Sequence, residues 1–195
     1  MTTTPSGMQE GPADFRFDFD RFERMFELGI LNDQGPRVEL LEGRIVEMSP
    51  IGAEHANVTA DLTVTLANGI RNDAGLPAAR VSTGATLRIG SDSGPEPDVL
   101  VARHGAKGKY YQAADTVLVV EVSGSTRDND LAIKRPLYAR AGIPEFWIVE
   151  PEARLIRVFR DPHPDGSWGH EEVVTEGVVT PLFSDQVRVE LAELF

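Results

Sequence analysis

The segment "TVLVVEVS", residues 116–123, constrains this chain more than any other, because from Val117 to Val122 both of its alternating faces are apolar except at Glu121. In an extended strand Val117, Val119, Glu121 and Ser123 share one face, and Leu118, Val120 and Val122 share the other. A strand apolar on both faces lies at the centre of a covered sheet. Glu121 then sits where a lone carboxylate costs several kcal/mol or must take up a proton. It therefore needs a cation or a hydrogen-bonding partner, and the fold has to bring one to it.

The order of elements shows what surrounds that strand. Phe19, Phe22, Met25 and Phe26 recur at helical spacing with Asp18 placed to cap the first turn, and "VELLEGRIVEMSP" reads as two short strands about Glu42-Gly43. From Glu54 to about Arg71, Val58, Leu62, Leu66 and Ile70 line one helical face, with His55 one turn before Val58. "VSTGATLRIG" alternates as a half-buried strand, and "SDSGPEP" leads into a second strand, "DVLVAR". After the strand that carries Glu121, residues 130–141 read as a helix stopped by Gly142 and Pro144. "EFWIVE" and "RLIRVFR" are a pair of strands, and "EEVVT", "GVVTPL" and "QVRVEL" add strand candidates near the C-terminus. The expectation is an α/β (α+β) fold, a mixed sheet flanked by helices with extra C-terminal strands, built as a single domain over residues 15–195 behind a disordered tail, residues 1–14.

Composition narrows the function. With no cysteine, disulfides and thiolate metal sites are excluded, which fits a reducing cytoplasm. Neither a signal peptide nor a membrane span is expected. The formal net charge of −12 argues against broad adhesion to nucleic acid, which depends on neutralising phosphates. The charge is unevenly spread, however: residues 71–143 carry ten Lys+Arg against eight Asp+Glu, so any polyanion site is expected to lie within that stretch. No glycine-rich nucleotide loop is present.

Asp98, after Pro97, lies on the strand face shared with Leu100 and Ala102. If its strand neighbours the one bearing Glu121, the two carboxylates flank one site, a donor set suited to Mg²⁺ or Mn²⁺. Lys134, on the following helix, is placed to point back toward Glu121. In "RHGAKGKYY" a solvated loop is the simpler reading, with contacts to a nucleic-acid backbone and bases the alternative. "DPHPDG" reads as a hairpin turn rather than a metal cluster.

Four stretches together, "ELLEGRIVEMSPIGAEH", "EPDVLV", "VVEVSGST" and "DNDLAIKRPLYARAGIPEFWIVEP", resemble the Uma-two family of restriction endonucleases in the PD-(D/E)XK nuclease superfamily, over about Phe19 to Phe159. Pro97-Asp98 is similar to the PD element. Glu121-Val122-Ser123 is similar to the (D/E)-X-K element, with serine where lysine is expected. In several branches the lysine comes from the following helix, a place that Lys134 fits. The resemblance implies a restriction-endonuclease-like core and Mg²⁺- or Mn²⁺-dependent hydrolysis of phosphodiester bonds in nucleic acid, with DNA the expected partner. Asp98 and Glu121 would hold the metal, and Lys134 would orient or activate water. Glu42 and His55 match positions that the family shows near the same site. Glu42 also reads as a turn carboxylate, and His55 as a core or capping histidine. No residue is assigned to substrate binding, and a homodimer is expected only by analogy. Two other functions stay open: an inert nuclease-fold binding module, suggested by Ser123 and the acidic ends, and a hydrolase of another phosphoester.

Overall fold

The computed structural model describes residues 14–31, 35–74, 79–103, 105–106, 108–123 and 128–195. Of the tail expected over residues 1–14, only Asp14 falls among these, and its carboxylate pairs with Arg44 at 3.0 Å. Helix α1, Phe19–Glu27, opens on Asp18, whose side chain accepts from the Arg21 amide at 2.7 Å. Phe19 and Phe22 bury its inner face against Leu40 and Tyr110. The hairpin β1, Val38–Leu41, and β2, Arg44–Glu47, turns through Glu42 and Gly43, with φ 48° and 75°. Both turn residues are left-handed, as a two-residue hairpin loop requires, and a Cβ on Gly43 would come within 2.8 Å of the Arg16 Cβ.

Helix α2, Ala53–Asn72, buries Val58, Leu62 and Leu66, as their four-residue spacing predicts. The expected strand "VSTGATLRIG" is instead broken at Gly84, where φ is 58°. Its first half is β3, Ala79–Ser82, at the edge of the main sheet. Its second half is β4, Leu87–Arg88, which pairs in parallel with β6, Tyr111–Gln112. A left-handed glycine turns the chain out of the sheet plane, which alternation of side chains does not reveal.

The main sheet has six strands in the order β10-β9-β8-β7-β5-β3. Here β5 is Val99–Arg103, β7 Thr116–Val122, β8 Glu145–Glu150, β9 Leu155–Pro162 and β10 Trp168–Val174. Strands β7 and β8 are parallel, joined across helix α3, Asp128–Arg140, and the other pairings are antiparallel. Strand β7 is central, as its two apolar faces require. Leu118, Val120 and Val122 pack with α2, and Val119 packs on the other side with Leu137 and Tyr138 of α3 and Leu41 of β1. Helix α3 ends at Gly142, with φ 71°, where the Ile143 amide donates to the Tyr138 carbonyl at 3.2 Å.

The hairpin β9–β10 crosses the "DPHPDG" turn as expected. Beyond it, β11, Val178–Val179, pairs with β12, Val189–Glu190, and a final turn of helix, α4, Leu191–Leu194, buries Leu191 and Leu194 beside α2. That last helix is absent from the sequence reading, since "VELAELF" alternates as readily as it coils. No helix among the described residues is long and apolar enough to cross a membrane.

Glu145 ties the C-terminal segment to the sheet. Fully buried, it accepts from Trp147 Nε1 at 3.0 Å, Arg160 Nε at 2.8 Å and the Leu182 amide at 2.7 Å. Glu145→Ala removes three hydrogen bonds at once, one of them from the buried Trp147, and takes the carboxylate from the half-buried Arg160, so unfolding should become easier by about 3 kcal/mol. At this chain length that lowers the Tm by about 10 °C. Thermal unfolding followed by circular dichroism checks it, and an unchanged Tm would contradict the assignment.

Candidate active site

Strands β5 and β7 are neighbours in the register Val99↔Val120. One step further along the ladder Asp98 stands across from Glu121. The Asp98 carboxylate is fixed at the strand end, where its Oδ2 accepts from the Val122 amide at 2.7 Å and lies 3.1 Å from His55 Nε2, at the start of α2. Lys134 reaches in from α3. Its Nζ is 3.0 Å from Glu39 Oε1 and 3.2 Å from Glu121 Oε1, and all three side chains are almost wholly buried. Tyr138, one helical turn beyond Lys134 on the same face, donates from its hydroxyl to Glu121 Oε1 at 2.7 Å. Glu39 is itself held in place, its Oε2 accepting from the Glu96 amide at 3.1 Å.

Asp98, Glu121, Lys134 and His55 are thus brought together as the sequence predicts. Glu42 is not. It occupies the β1–β2 turn, half exposed, and its carboxylate pairs with Arg140 at the end of α3. The carboxylate this hairpin contributes is Glu39, three residues earlier. The signal was present: on β1, Glu39 shares a face with Leu41, which packs against the sheet, whereas Val38 and Leu40 face α1. Tyr138 was likewise passed over, although its i+4 relation to Lys134 places both on one stripe. Ser123 follows on β7, where its amide donates to the Val149 carbonyl at 2.8 Å. Of "RHGAKGKYY", His104 and Lys107 lie outside the described residues. Lys109 and Tyr110 both bind the carboxylate of Glu23 on α1, at 2.5 and 3.0 Å, so this part of the loop braces the N-terminal helix. In the "DPHPDG" turn, Asp165 accepts from Ser167, as a turn carboxylate does.

The electrostatics follow from burial. Glu39, Asp98, Glu121 and Lys134 line one cavity of about 20 Å³, large enough for one water-sized species. Three carboxylates face one ammonium. Burial pushes the Glu121 carboxyl up to about 7; Lys134 pulls it back, while Asp98 and Glu39 add to the rise. Burial acts to lower the Lys134 ammonium, but Glu121 and Glu39 more than offset this and hold it above the ordinary lysine range. Burial also raises the Tyr138 phenol well above its usual value, with Glu121 and Glu39 adding to the rise, so Tyr138 stays a donor.

The surplus of negative oxygen donors suits a hard cation. Among the described residues no group of three or more His, Asp or Glu side chains converges as a ready-made ligand set. Two carboxylates completed by water and substrate oxygens is the usual complement for Mg²⁺, and Asp98 with Glu121 fits that requirement.

Comparison with known proteins places the chain in a family and identifies its fold. The family model Uma2, described as "Putative restriction endonuclease", matches residues 19–192. The chain belongs to the Uma2 family. Among solved structures, it is similar to a crystal structure described as a putative nuclease belonging to DUF820 from Anabaena variabilis. The TM-score is 0.68 at 18% identity, covering 88% of this chain and 96% of the other. At that identity the likeness establishes the fold, a mixed sheet between helices. No curated protein matches. The Uma2 match spans β1, β7 and α3, which carry Glu39, Glu121 and Lys134, and Asp98 just before β5.

A carboxyl with a higher pKa folded than unfolded favours the folded state while it is protonated. Its contribution to stability is lost as the pH rises through the folded value, here about 7. In EDTA, the Tm of this Uma2 chain should therefore fall between pH 5 and pH 8 by about 5 °C more than that of Glu121→Gln, in which the neutral amide keeps the shape without the titration. Parallel pH profiles for the two proteins would show that Glu121 does not titrate in this range.

Proposed function

We propose that this chain is a Mg²⁺- or Mn²⁺-dependent endonuclease that hydrolyses phosphodiester bonds of DNA, with residues 15–195 acting as one domain. The observation that carries the reading is the position of Lys134 Nζ, within 3.2 Å of Glu121, in a sequence that has Ser123 where the motif expects lysine. The family description supports nuclease chemistry. The cysteine-free composition suits a reducing compartment such as the cytoplasm.

Asp98 and Glu121 would hold the divalent ion. When bound, it supplies Lewis acidity that polarises a phosphoryl oxygen and lowers the pKa of water. The chain's own groups do the rest. Lys134, kept charged by Glu39 and Glu121, offsets the negative charge that grows on the phosphorane-like transition state and orients the attacking water. Glu39 keeps the ammonium beside Glu121. Tyr138 occupies one lone pair of Glu121 Oε1 and so fixes which way the remaining lone pairs face. His55 does the same for Asp98. Such positioning matters because errors of about 1 Å cost about 100-fold in rate.

Purified protein incubated with plasmid and with single-stranded DNA should cleave at least one of them in Mg²⁺ or Mn²⁺ and neither in EDTA. Asp98→Ala, Glu121→Ala and Lys134→Met should each lose at least about 100-fold in rate. Glu42→Ala should cleave at the wild-type rate, since its carboxylate faces Arg140. Cleavage that survives Asp98→Ala would overturn the site. A protein that binds DNA but cleaves no phosphodiester in any metal would point to an inert binding module.

A further inference from the structure

The cavity that holds the charged cluster shares lining residues with a larger space on either side. At about 20 Å³ it takes an ion or a water but not a phosphate group, so a scissile phosphate must rest at its mouth. On one side Asp98 also lines a groove of about 500 Å³ between α2 and the Thr83–Gly84 turn. The groove's walls are Ile51, Val64 and Pro97, with the hydroxyls of Thr59 and Thr63, and it ends on His55 and Asp98. Ile51 and Val64 are 49% and 57% exposed, so the groove presents apolar surface next to the most polar cluster in the protein. On the other side, Ser123 and Leu131 line both the central cavity and a second pocket of about 500 Å³, between α3 and β9–β10, which contains Arg135 and Arg157. Each flanking space is of the size that binds small organic groups.

The charges along this path disfavour a substrate that must be held through many phosphates. Arg37 pairs with Glu96 at 2.8 Å, Arg135 with Glu171 at 2.9 Å and Arg157 with Glu150 at 2.6 Å, and Lys134 is enclosed by Glu39 and Glu121. Every lysine and arginine that lines the three spaces among the described residues is thus ion-paired to a carboxylate. Duplex DNA is gripped through many phosphates on two strands, and its base faces are closed by stacking and pairing. The apolar wall of the α2 groove, Ile51, Val64 and Pro97, instead suits an unpaired strand, whose bases are free to leave water.

We propose that the substrate is single-stranded DNA, threaded across the mouth of the cluster with the nucleoside on one side of the scissile phosphate seated in the α2 groove. This rests on the nuclease reading above. It adds what that reading leaves open, the strandedness of the substrate and the side of the site that holds the base. Asp98 lines both the groove and the central cavity, and His55, 3.1 Å from Asp98, lines the groove beside it; that shared wall assigns the groove to the substrate.

Two model substrates separate this inference from the nuclease reading: thymidine 5′-(p-nitrophenyl phosphate) and methyl p-nitrophenyl phosphate, which share a leaving group and differ in the nucleoside. The wild-type protein in Mn²⁺ should show a kcat/KM at least about tenfold higher for the nucleoside ester. Ala60→Trp, which fills the groove from the exposed face of α2, and Val64→Glu, which charges it without bulk, should each remove that preference. A labelled single strand should be cut faster than its duplex. Equal kcat/KM for the two esters, a preference unaffected by either variant, or a duplex cut as fast as the strand would overturn the inference while leaving the nuclease reading intact. A ribonucleotide strand of the same sequence cut faster than the DNA strand would overturn the assignment to DNA. If neither ester nor any DNA is hydrolysed, the nuclease reading fails, and fluorescence anisotropy in Ca²⁺ decides the groove: tighter binding of the strand than of the duplex, weakened by Val64→Glu, supports it, and no difference overturns it.

Discussion

The ammonium of Lys134, buried between Glu39 and Glu121, is the constraint on which the rest of this structure depends. An ion pair taken out of water recovers its lost hydration only when geometry and further hydrogen bonds are supplied. Each of its members accordingly has a second partner. The Glu96 amide binds Glu39, and Tyr138 binds Glu121. Three elements distant in the chain must be held within a few ångströms of one another to achieve this: β1 brings Glu39, β7 brings Glu121 and α3 brings Lys134. The fold is organised so that they meet.

The two sides of the sheet divide the work. Toward α2 the packing is conventional, with Leu118, Val120 and Val122 against Val58, Leu62 and Leu66. Toward α3 the apolar layer of Val119, Leu137, Tyr138 and Phe146 stops at the strand end, and the charged cluster begins there. Lys134 therefore has an apolar wall around its stem and carboxylates at its tip. The same end of the sheet receives Asp98 and His55, the latter from the first turn of α2, so both layers contribute to one site. The charge imbalance of that site, three carboxylates to one ammonium, is destabilising for the protein alone and favourable toward a cation.

Strand β7 could be read from sequence because a run apolar on both faces has one stable placement, and Glu121 followed as the exception within it. Asp98 followed from the tendency of consecutive strands to pair. Lys134 was legible from the family resemblance, which places the lysine on the following helix, and from its position one turn after Asp130; the same helix also carries Arg135 and Arg140, which the need for a cation alone does not exclude. Glu39 was not, because Glu42, beside Gly43, also carries a carboxylate on the same hairpin. Only the strand's alternation, anchored by the burial of Leu41, separates the inward residue from the turn residue. The break at Gly84 and the short helix Leu191–Leu194 escaped for a related reason: both are decided by where the chain must go next rather than by the periodicity of the segment itself.

The central claim is that Lys134 on α3 performs the task that a lysine at position 123 would perform on β7. Moving the charge tests this directly. Cleavage rates in Mn²⁺ are compared for Lys134→Met and for the double variant Ser123→Lys/Lys134→Met, in which the ammonium returns to the face that Glu121 occupies. The account predicts that the single variant loses at least about 100-fold and that the double variant recovers about tenfold or more of that loss. A Lys134→Met protein that cleaves DNA at the wild-type rate would contradict it.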